Sequence, residues 1–453
     1  MKNFSAVILA AGKGTRMKSA VPKVLHEVSL TPMLGRVIES VSALSPDRIA
    51  VVVGSGAGAV EDYLKTLKTK TTVIYQDKQL GSGHALKQAQ NAFKNYKGNI
   101  LVLSGDVPLI EPLTFKKLLS SHIKKSAGAT VLSAKLENPF GYGRMITGLS
   151  GTLTKIVEEK DATAEQKAIK EINAGIYCFN KVIWDILPRL KNNNAKKEYY
   201  ITDAVEHVKA KGFKVYSCVA SCTQEVQGIN NRLELANAET YLQRKTLSCL
   251  MDKGVTVMSP NSVYIASDAQ IGADTVIYPN VFIGRNVKVG KNCLIGSGSF
   301  IKNSLIGDNA KIEHSYINGA RLAKGVKVGP FAHIRPESVL CENARLGNFS
   351  EVKKSVIGAG AKINHLSYIG DAHVGKAANI GAGTITCNYD GKSKHRTVIG
   401  EGAFVGSNVN FIAPVSVGKN VLVAAGSTIT KNVPENTLVV ARARQVSKPN
   451  RRA

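Results

Sequence analysis

Three clusters of residues in this 453-residue chain have the types and spacing to do chemistry. The first is Gly12-Lys13-Gly14-Thr15-Arg16, then Pro22-Lys23, directly after the apolar run Ala6–Ala11. Its glycines let the backbone approach a polyphosphate, and Arg16 and Lys23 would neutralise charge developing at the α- and β-phosphorus. Solvated cations on a glycine-rich turn are the bland alternative. The spacing is neither Gly-x-x-x-x-Gly-Lys-Ser/Thr nor Gly-x-Gly-x-x-Gly, which disfavours a P-loop ATPase and a dinucleotide enzyme. The second cluster is Ser104-Gly105-Asp106, where a carboxylate follows the apolar run Ile100–Leu103 and could either cap a helix or hold a metal. The third is Arg335, Lys353 and His365, with Tyr368, Asn379 and the Asn388-Tyr389 pair close by in sequence. Two stacked cations suit a phosphate, and a histidine can take a proton from an attacking amine near neutral pH. A lone surface histidine is usually inert; the company of the cation pair favours the catalytic reading.

The elements that must position these groups follow two different grammars. Residues 1–230 alternate apolar runs (Ala6–Ala11, Ile49–Val53, Thr72–Tyr75, Ile100–Leu103, Thr130–Ala134) with amphipathic segments (Pro32–Leu44, Ala59–Leu67, Gly83–Phe93). Strand–helix alternation implies a mainly parallel sheet covered by helices, with ligands at the carboxyl ends of its strands. Residues 231–253 have helical spacing and end at Gly254, which predicts a connecting helix. From about Val255 an aliphatic residue recurs every six positions, as in Ile265, Ile271, Ile277, Ile283, Val289, Ile295 and Ile301. Further runs include Leu322 to Val352 and Ile399 to Ile429. Each hexad supplies a short strand and a turn, three make a triangular coil, and roughly ten coils of parallel β-helix fit in the region. One coil separates Arg335 from Lys353, so they lie one above the other. His365, two positions past Ile363, projects outside the prism. The run from Thr384 to Val398 breaks register and predicts a protruding loop. After Pro434 the repeat stops, and residues 440–453 read as an exposed basic tail.

Charge and cysteine content narrow the function classes. The formal net charge is +27, spread as +14 over residues 1–250 and +13 over 251–453. An evenly basic surface favours anionic ligands without separating nucleic acid from phosphorylated substrates. The seven cysteines are scattered and include no Cys-x-x-Cys pair, which argues against a disulfide framework or zinc cluster and for a reducing cytoplasm. The N-terminal apolar run is too short for a signal peptide, and no stretch reaches the 18 apolar residues of a membrane helix.

Further segments carry a resemblance. The first motif, with Gln79-Leu80-Gly81-Ser82-Gly83-His84 and Ser104-Gly105-Asp106-Val107-Pro108, is similar to the sugar-phosphate nucleotidyltransferases. Left-handed hexapeptide prisms are typical of acyl-CoA transferases. Four prism segments resemble one family closely: Phe331-Ala-His-Ile-Arg335-Pro, Gly347-Asn-Phe-Ser-Glu351-Val-Lys353, Asn364-His365-Leu-Ser-Tyr368 and Asn379-Ile-Gly-Ala382 through Asn388-Tyr389-Asp390-Gly. It is the bacterial bifunctional N-acetylglucosamine-1-phosphate uridyltransferase / glucosamine-1-phosphate N-acetyltransferase family. The likeness spans essentially the whole chain and includes Phe140-Gly-Tyr-Gly143-Arg144, Glu158-Glu-Lys-Asp, Asn173-Ala-Gly175 and Glu198-Tyr-Tyr-Ile-Thr-Asp203.

The resemblance implies an α/β Rossmann-like nucleotidyltransferase domain (1–230), a linker helix (231–253) and a left-handed parallel β-helix acetyltransferase domain (254–453). It implies that Leu9, Gly12, Lys23, Gln76, Gly81, Ser82, Gly105, Gly143, Glu158, Asn173 and Asn230 line the uridine-diphosphate-sugar site. Main-chain donors of residues 79–84 would serve base and sugar. Asp106 and Asn230 would bind Mg²⁺, with Arg16 and Lys23 aiding the transfer. Arg335 and Lys353 would hold the sugar phosphate, helped by Tyr368 and Asn379. His365 would be the general base, oriented by Glu351. Ala382, Asn388, Tyr389, Ser407, Ala425 and Arg442 would meet acetyl-CoA. The implied reactions are acetylation of glucosamine 1-phosphate, then UMP transfer from UTP to the product, giving UDP-N-acetylglucosamine for peptidoglycan and, where present, lipopolysaccharide. A cytoplasmic homotrimer is implied, with no specific nucleic acid and no membrane insertion. Four positions depart from the usual pattern: Ser82 and Ser367 replace Thr, Ser104 replaces Tyr and His333 replaces Arg. Ser104 removes an aromatic surface near the nucleotide, and His333 trims one cation. Two alternatives stay open. One is a single-reaction nucleotidyltransferase whose prism serves only assembly. The other is a nucleic-acid binder, which a 6% aromatic chain without aromatic–basic platforms disfavours.

Overall fold

The computed structural model describes residues 3–54, 56–148 and 152–449, so Lys2 and the tail's Arg451 and Arg452 lie outside the described residues. The chain divides into two compact units, Met1–Leu242 and Gln243–Ala453.

The first unit is built on one twisted sheet. Its main path runs Val215–Val219, Ala129–Lys135, Glu171–Phe179, Asn99–Ser104, Phe4–Ala10, Ile49–Val53 and Thr72–Tyr75. Glu171–Phe179 is antiparallel to both its neighbours and the other pairings along this path are parallel. Every residue of Ile49–Val53 is buried, as expected of a parallel strand covered on both faces. The register pairs Leu9 with both Val52 and Ser104, so the turns that begin at Ala11, Gly54 and Gly105 open on one edge of the sheet. A hairpin, Arg144–Thr147 with Leu153–Val157, joins the sheet through the Ile172–Arg144 pair.

The helix Arg232–Asp252 crosses the boundary between the units. Its first half packs Ala238 and Leu242 against Val28, Met33, Leu109 and Ile229, while Leu247 and Leu250 join the core of the second unit.

That second unit is a left-handed parallel β-helix. Among the described residues its three faces are sheets of eleven, ten and nine two- to four-residue strands. The hexad aliphatics point inward and are almost fully buried, forming one continuous column of core. Burying each contributes about 1.5–3 kcal/mol relative to exposure. At many corners the chain takes a left-handed turn occupied by Asn, as at Asn280, Asn286, Asn292, Asn309, Asn343 and Asn420. Asn tolerates positive φ better than other non-glycine residues.

Two boundaries differ from the sequence expectation. The excursion near Thr384–Val398 is shorter, because Ile385–Cys387 and Thr397–Ile399 remain prism strands and only residues 388–396 leave the wall. Thr386 sits where an aliphatic residue belongs, and its buried hydroxyl donates to Gly370 O (3.0 Å) while accepting from Gly370 N (2.8 Å). The repeat also continues past Pro434, with Leu438–Val439 pairing to Leu422–Val423.

Candidate active sites

In the first unit the turn after Leu9 brings the predicted cations onto the predicted metal residues. Lys23 Nζ forms an ion pair with Asp106 Oδ2 and donates to Asn230 Oδ1 (2.8 Å), which also accepts from Arg16 Nη2 (2.8 Å). Gly14 makes this possible. Its φ is +60°, and a Cβ there would stand 2.6 Å from Lys23 Cβ. Gly105 N donates to Leu9 O (2.9 Å) and Ile229 N to Asp106 O (2.9 Å), so three separate segments are tied at the sheet edge. Ser104 Oγ donates to the other Asp106 oxygen, Oδ1, at 2.6 Å. Where an aromatic ring is usual, this chain places a hydroxyl that holds the carboxylate.

Asp106 also joins this cluster to a small cavity of about 170 Å³, lined by Gly143, Glu158, Asn173, Tyr142 and Gly175 among others. Burial pushes the Glu158 carboxyl above the usual carboxylate range, with the Thr202 hydroxyl (3.2 Å) pulling it back. Thr202 follows Ile201, whose N–H donates to Ser82 Oγ (3.1 Å), so one segment links Ser82 to Glu158. Ser82 thus keeps a hydroxyl where Thr is usual, and here it accepts from the backbone.

Part of the expected nucleotide cradle is turned inward. Leu80 N donates to Lys78 O (2.9 Å) and Gly83 N to Tyr199 O (2.8 Å), so neither is a free main-chain donor. Gln76 is buried, with its amide nitrogen on Gly81 O (3.2 Å) and His84 Nδ1 (2.9 Å). These residues shape the loop that carries Gly81 and Ser82.

In the prism, the register decides what meets what. Arg335 and Lys353 each follow an inward residue of one face, Ile334 and Val352, which pair in register. They are therefore stacked neighbours, as the 18-residue spacing requires. Tyr368 lies on the same face, paired with Glu351. His365 ends the strand Lys362–His365 on the adjoining face and is exposed, outside the prism. Asn379 lies on that second face, paired with Lys362.

Three of the six implied acetyl-CoA residues, Ala382, Ser407 and Ala425, form a column that spacing alone did not reveal. Two positions past the paired inward residues Leu346, Ile363, Ile380, Val405 and Val423 stand Asn348, His365, Ala382, Ser407 and Ala425. Above His365 this corner thus carries only small side chains, and Arg442 Nη1 closes its far end on Ala425 O (2.6 Å). The loop 388–396 leaves from the neighbouring face. Asn388 Nδ2 donates to Asp371, and Tyr389 is exposed.

One expectation is corrected. Glu351 does not orient His365; its Oε1 accepts from Arg335 Nη1 at 2.9 Å. The side chain on His365 Nδ1 is Asn348 Oδ1, at 2.9 Å. Asn348 was missed, although it lies 17 residues upstream, one coil below. Lys394, in the loop, was missed too. Its ammonium beside Lys353 holds that amine below the usual lysine range. Ser367 keeps a hydroxyl where Thr is usual, and it donates to His365 O (2.8 Å). His333 meets Tyr316 edge-on at 5.2 Å and ends an outer ladder of stacked rings, Tyr264, Phe282, Phe300 and Tyr316.

Comparison with known proteins agrees with both halves. Residues 5–223 match the nucleotidyl transferase family, residues 259–321 the GMPPB C-terminal domain and residues 396–431 the bacterial transferase hexapeptide repeats. The bifunctional protein GlmU of Carboxydothermus hydrogenoformans is 47% identical over 98% of this chain and 99% of its own. The chain belongs to the GlmU family. The GlmU proteins of Shouchella clausii (47% identical, 99% of each chain) and Staphylococcus epidermidis (49%, 98% of each) are similarly close. As a GlmU protein it is a bifunctional enzyme, a uridyltransferase and an acetyltransferase. Among the described residues no helix is long and apolar enough to cross a membrane.

Proposed function

We propose that the two sites run consecutive reactions, with glucosamine 1-phosphate acetylated in the prism and its product uridylylated in the first unit. The observation that carries this reading is the corner column His365, Ala382, Ser407, Ala425, which runs beside the Arg335–Lys353 pair. Arg335 and Lys353 hold the sugar phosphate, with Tyr368 and Asn379 on the sugar. Acetyl-CoA lies along the small-residue column between Tyr389 and Arg442. The amine attacks the thioester carbonyl, His365 Nε2 takes its proton, the C–S bond breaks, and the thiolate leaves to be protonated as CoA.

In the first unit a phosphate oxygen of N-acetylglucosamine 1-phosphate attacks the α-phosphorus of UTP in line, and the bond to the β-phosphate oxygen breaks to release pyrophosphate. Arg16 and Lys23 lie where the transferred charge develops. Gly143, Glu158 and Asn173 hold the sugar, and Gly81 and Ser82 the nucleoside. The residues suit Mg²⁺: Asp106 and Asn230 turn two hard oxygens toward one cationic nitrogen, Lys23 Nζ. Hard oxygen donors are the class Mg²⁺ takes. Mg²⁺ held by Asp106 and Asn230 would neutralise phosphate charge during the transfer.

The protein acts in the cytoplasm, where its seven free cysteines stay reduced, and as a homotrimer. Support for assembly comes from three consecutive corners beside the prism site. Phe331, Phe349 and Leu366 take left-handed φ there while 51%, 58% and 64% exposed. Bulky residues in that conformation each cost about 1–2 kcal/mol, and a second copy would cover them.

Separate assays of CoA thiol release and pyrophosphate release test the assignment. His365→Ala is expected to abolish the first and spare the second, and Asp106→Ala the reverse. Loss of both activities in either folded variant overturns it. No thiol release by the wild-type protein would instead favour a prism that serves assembly alone, and unchanged thiol release in His365→Ala would remove His365 as the base.

A further inference from the structure

We infer that Asn348 is the positioning residue of the acetyl-transfer base: it fixes the tautomer and orientation of His365 from one coil below. This deepens the reading of His365 as general base and rests on it. Asn348 ends the strand Arg345–Asn348, and the parallel register sets it directly opposite His365. Asn348 Oδ1 lies 2.9 Å from His365 Nδ1. A carboxamide oxygen can only accept, so the ring proton resides on Nδ1 and the lone pair on Nε2. That lone pair is what an attacking amine needs.

The backbone holds both partners in place. Leu366 N donates to Asn348 O (3.0 Å), locking the two corners together, and Ser367 Oγ donates to His365 O (2.8 Å). The imidazole is thus fixed at its main chain and at one ring nitrogen, while the side chain itself remains exposed.

The charged neighbours explain why an amide, and not a carboxylate, suits this position. The strand below carries Arg345 and the strand of His365 carries Lys362, both at the opposite end of the face. The strand above brings Asn379 and then Ala382, neither of which titrates. On the adjoining face stand Tyr368, Lys353 and Glu351, and Glu351 is paired with Arg335. An Asp at 348 would add a negative charge at hydrogen-bond distance from the ring, favour imidazolium and withhold the base at neutral pH.

The test compares wild type, Asn348→Ala, Asn348→Asp and His365→Ala as full-length proteins, measuring acetyl transfer across pH and pyrophosphate release as the folding control. For Asn348→Ala, kcat of acetyl transfer should fall about 10- to 100-fold, as when the partner of a functional histidine is removed, with KM for both substrates nearly unchanged. For Asn348→Asp, the acid limb of the pH–rate profile should move up by about one unit or more. Pyrophosphate release should be unaffected in both. Wild-type kcat in Asn348→Ala together with an unshifted limb in Asn348→Asp would overturn the inference while His365→Ala remained inactive. If His365→Ala itself kept full acetyl transfer, the general-base reading would fall first.

Discussion

Arg335 Nη1 donates to Glu351 Oε1 at 2.9 Å, across adjacent rungs of one prism face. The carboxylate expected to serve the base is therefore paired with the cation proposed to hold the sugar phosphate. Glu351→Ala should raise KM for glucosamine 1-phosphate by up to about fivefold, the range of a partly exposed charge pair. Its effect on kcat should be small. A double-mutant cycle with Arg335→Ala checks this, and additive KM effects would show the pair to be uncoupled.

Gly14→Ala should disable uridylyl transfer alone. The added methyl would meet Lys23 Cβ at 2.6 Å in a left-handed turn, pushing the lysine off Asp106 and Asn230. A displacement of this size lowers the rate by about a hundredfold. Pyrophosphate release would report the loss, while thiol release should match wild type.

Asp203→Asn should stabilise the first unit at high pH more than at low pH. Burial, then Glu206 and Asp161, push the Asp203 carboxyl up to about 6 in the folded protein. Because that is above its unfolded value, the ionised group penalises folding, increasingly as pH rises past the unfolded value and fully above about pH 6. The gain in melting temperature should be clear at pH 8 and small at pH 5. The half-burial of the site and the lost helix-end charge limit it to about 1 kcal/mol. Equal gains at both pH values would contradict the ionisation argument.

Phe411→Ala should loosen the prism near its acetyl site. The ring is fully buried and stacks in register on the smaller Thr386, filling the width an aliphatic would leave. Truncation should cost about 3–5 kcal/mol through the cavity left behind. Thermal unfolding followed by circular dichroism would show it as a lowered midpoint for the β-helix.

Much of this protein is written in its one-dimensional pattern. The hexad period makes the coil, because inward aliphatics every six residues can be buried only by stacking on their equivalents. The strand–loop sequence Ala6–Lys23 likewise predicts a glycine-rich turn that carries Arg16 and Lys23 at a sheet edge, where the structure has it. Spacing even stacked Arg335 on Lys353 correctly, because that coil is a full 18 residues. What the sequence did not decide is which side chain closes on which. One 17-residue coil sets Asn348, not Glu351, against His365, and the loop 388–396 stretches a single rung to 25 residues between Ala382 and Ser407. The inward turn of Gln76 and the approach of Ser104 to Asp106 likewise depend on local hydrogen bonding. Periodicity is enforced by burial and is visible in one dimension. Partnership depends on register and on hydrogen bonds a few ångströms long, and only the folded chain fixes those.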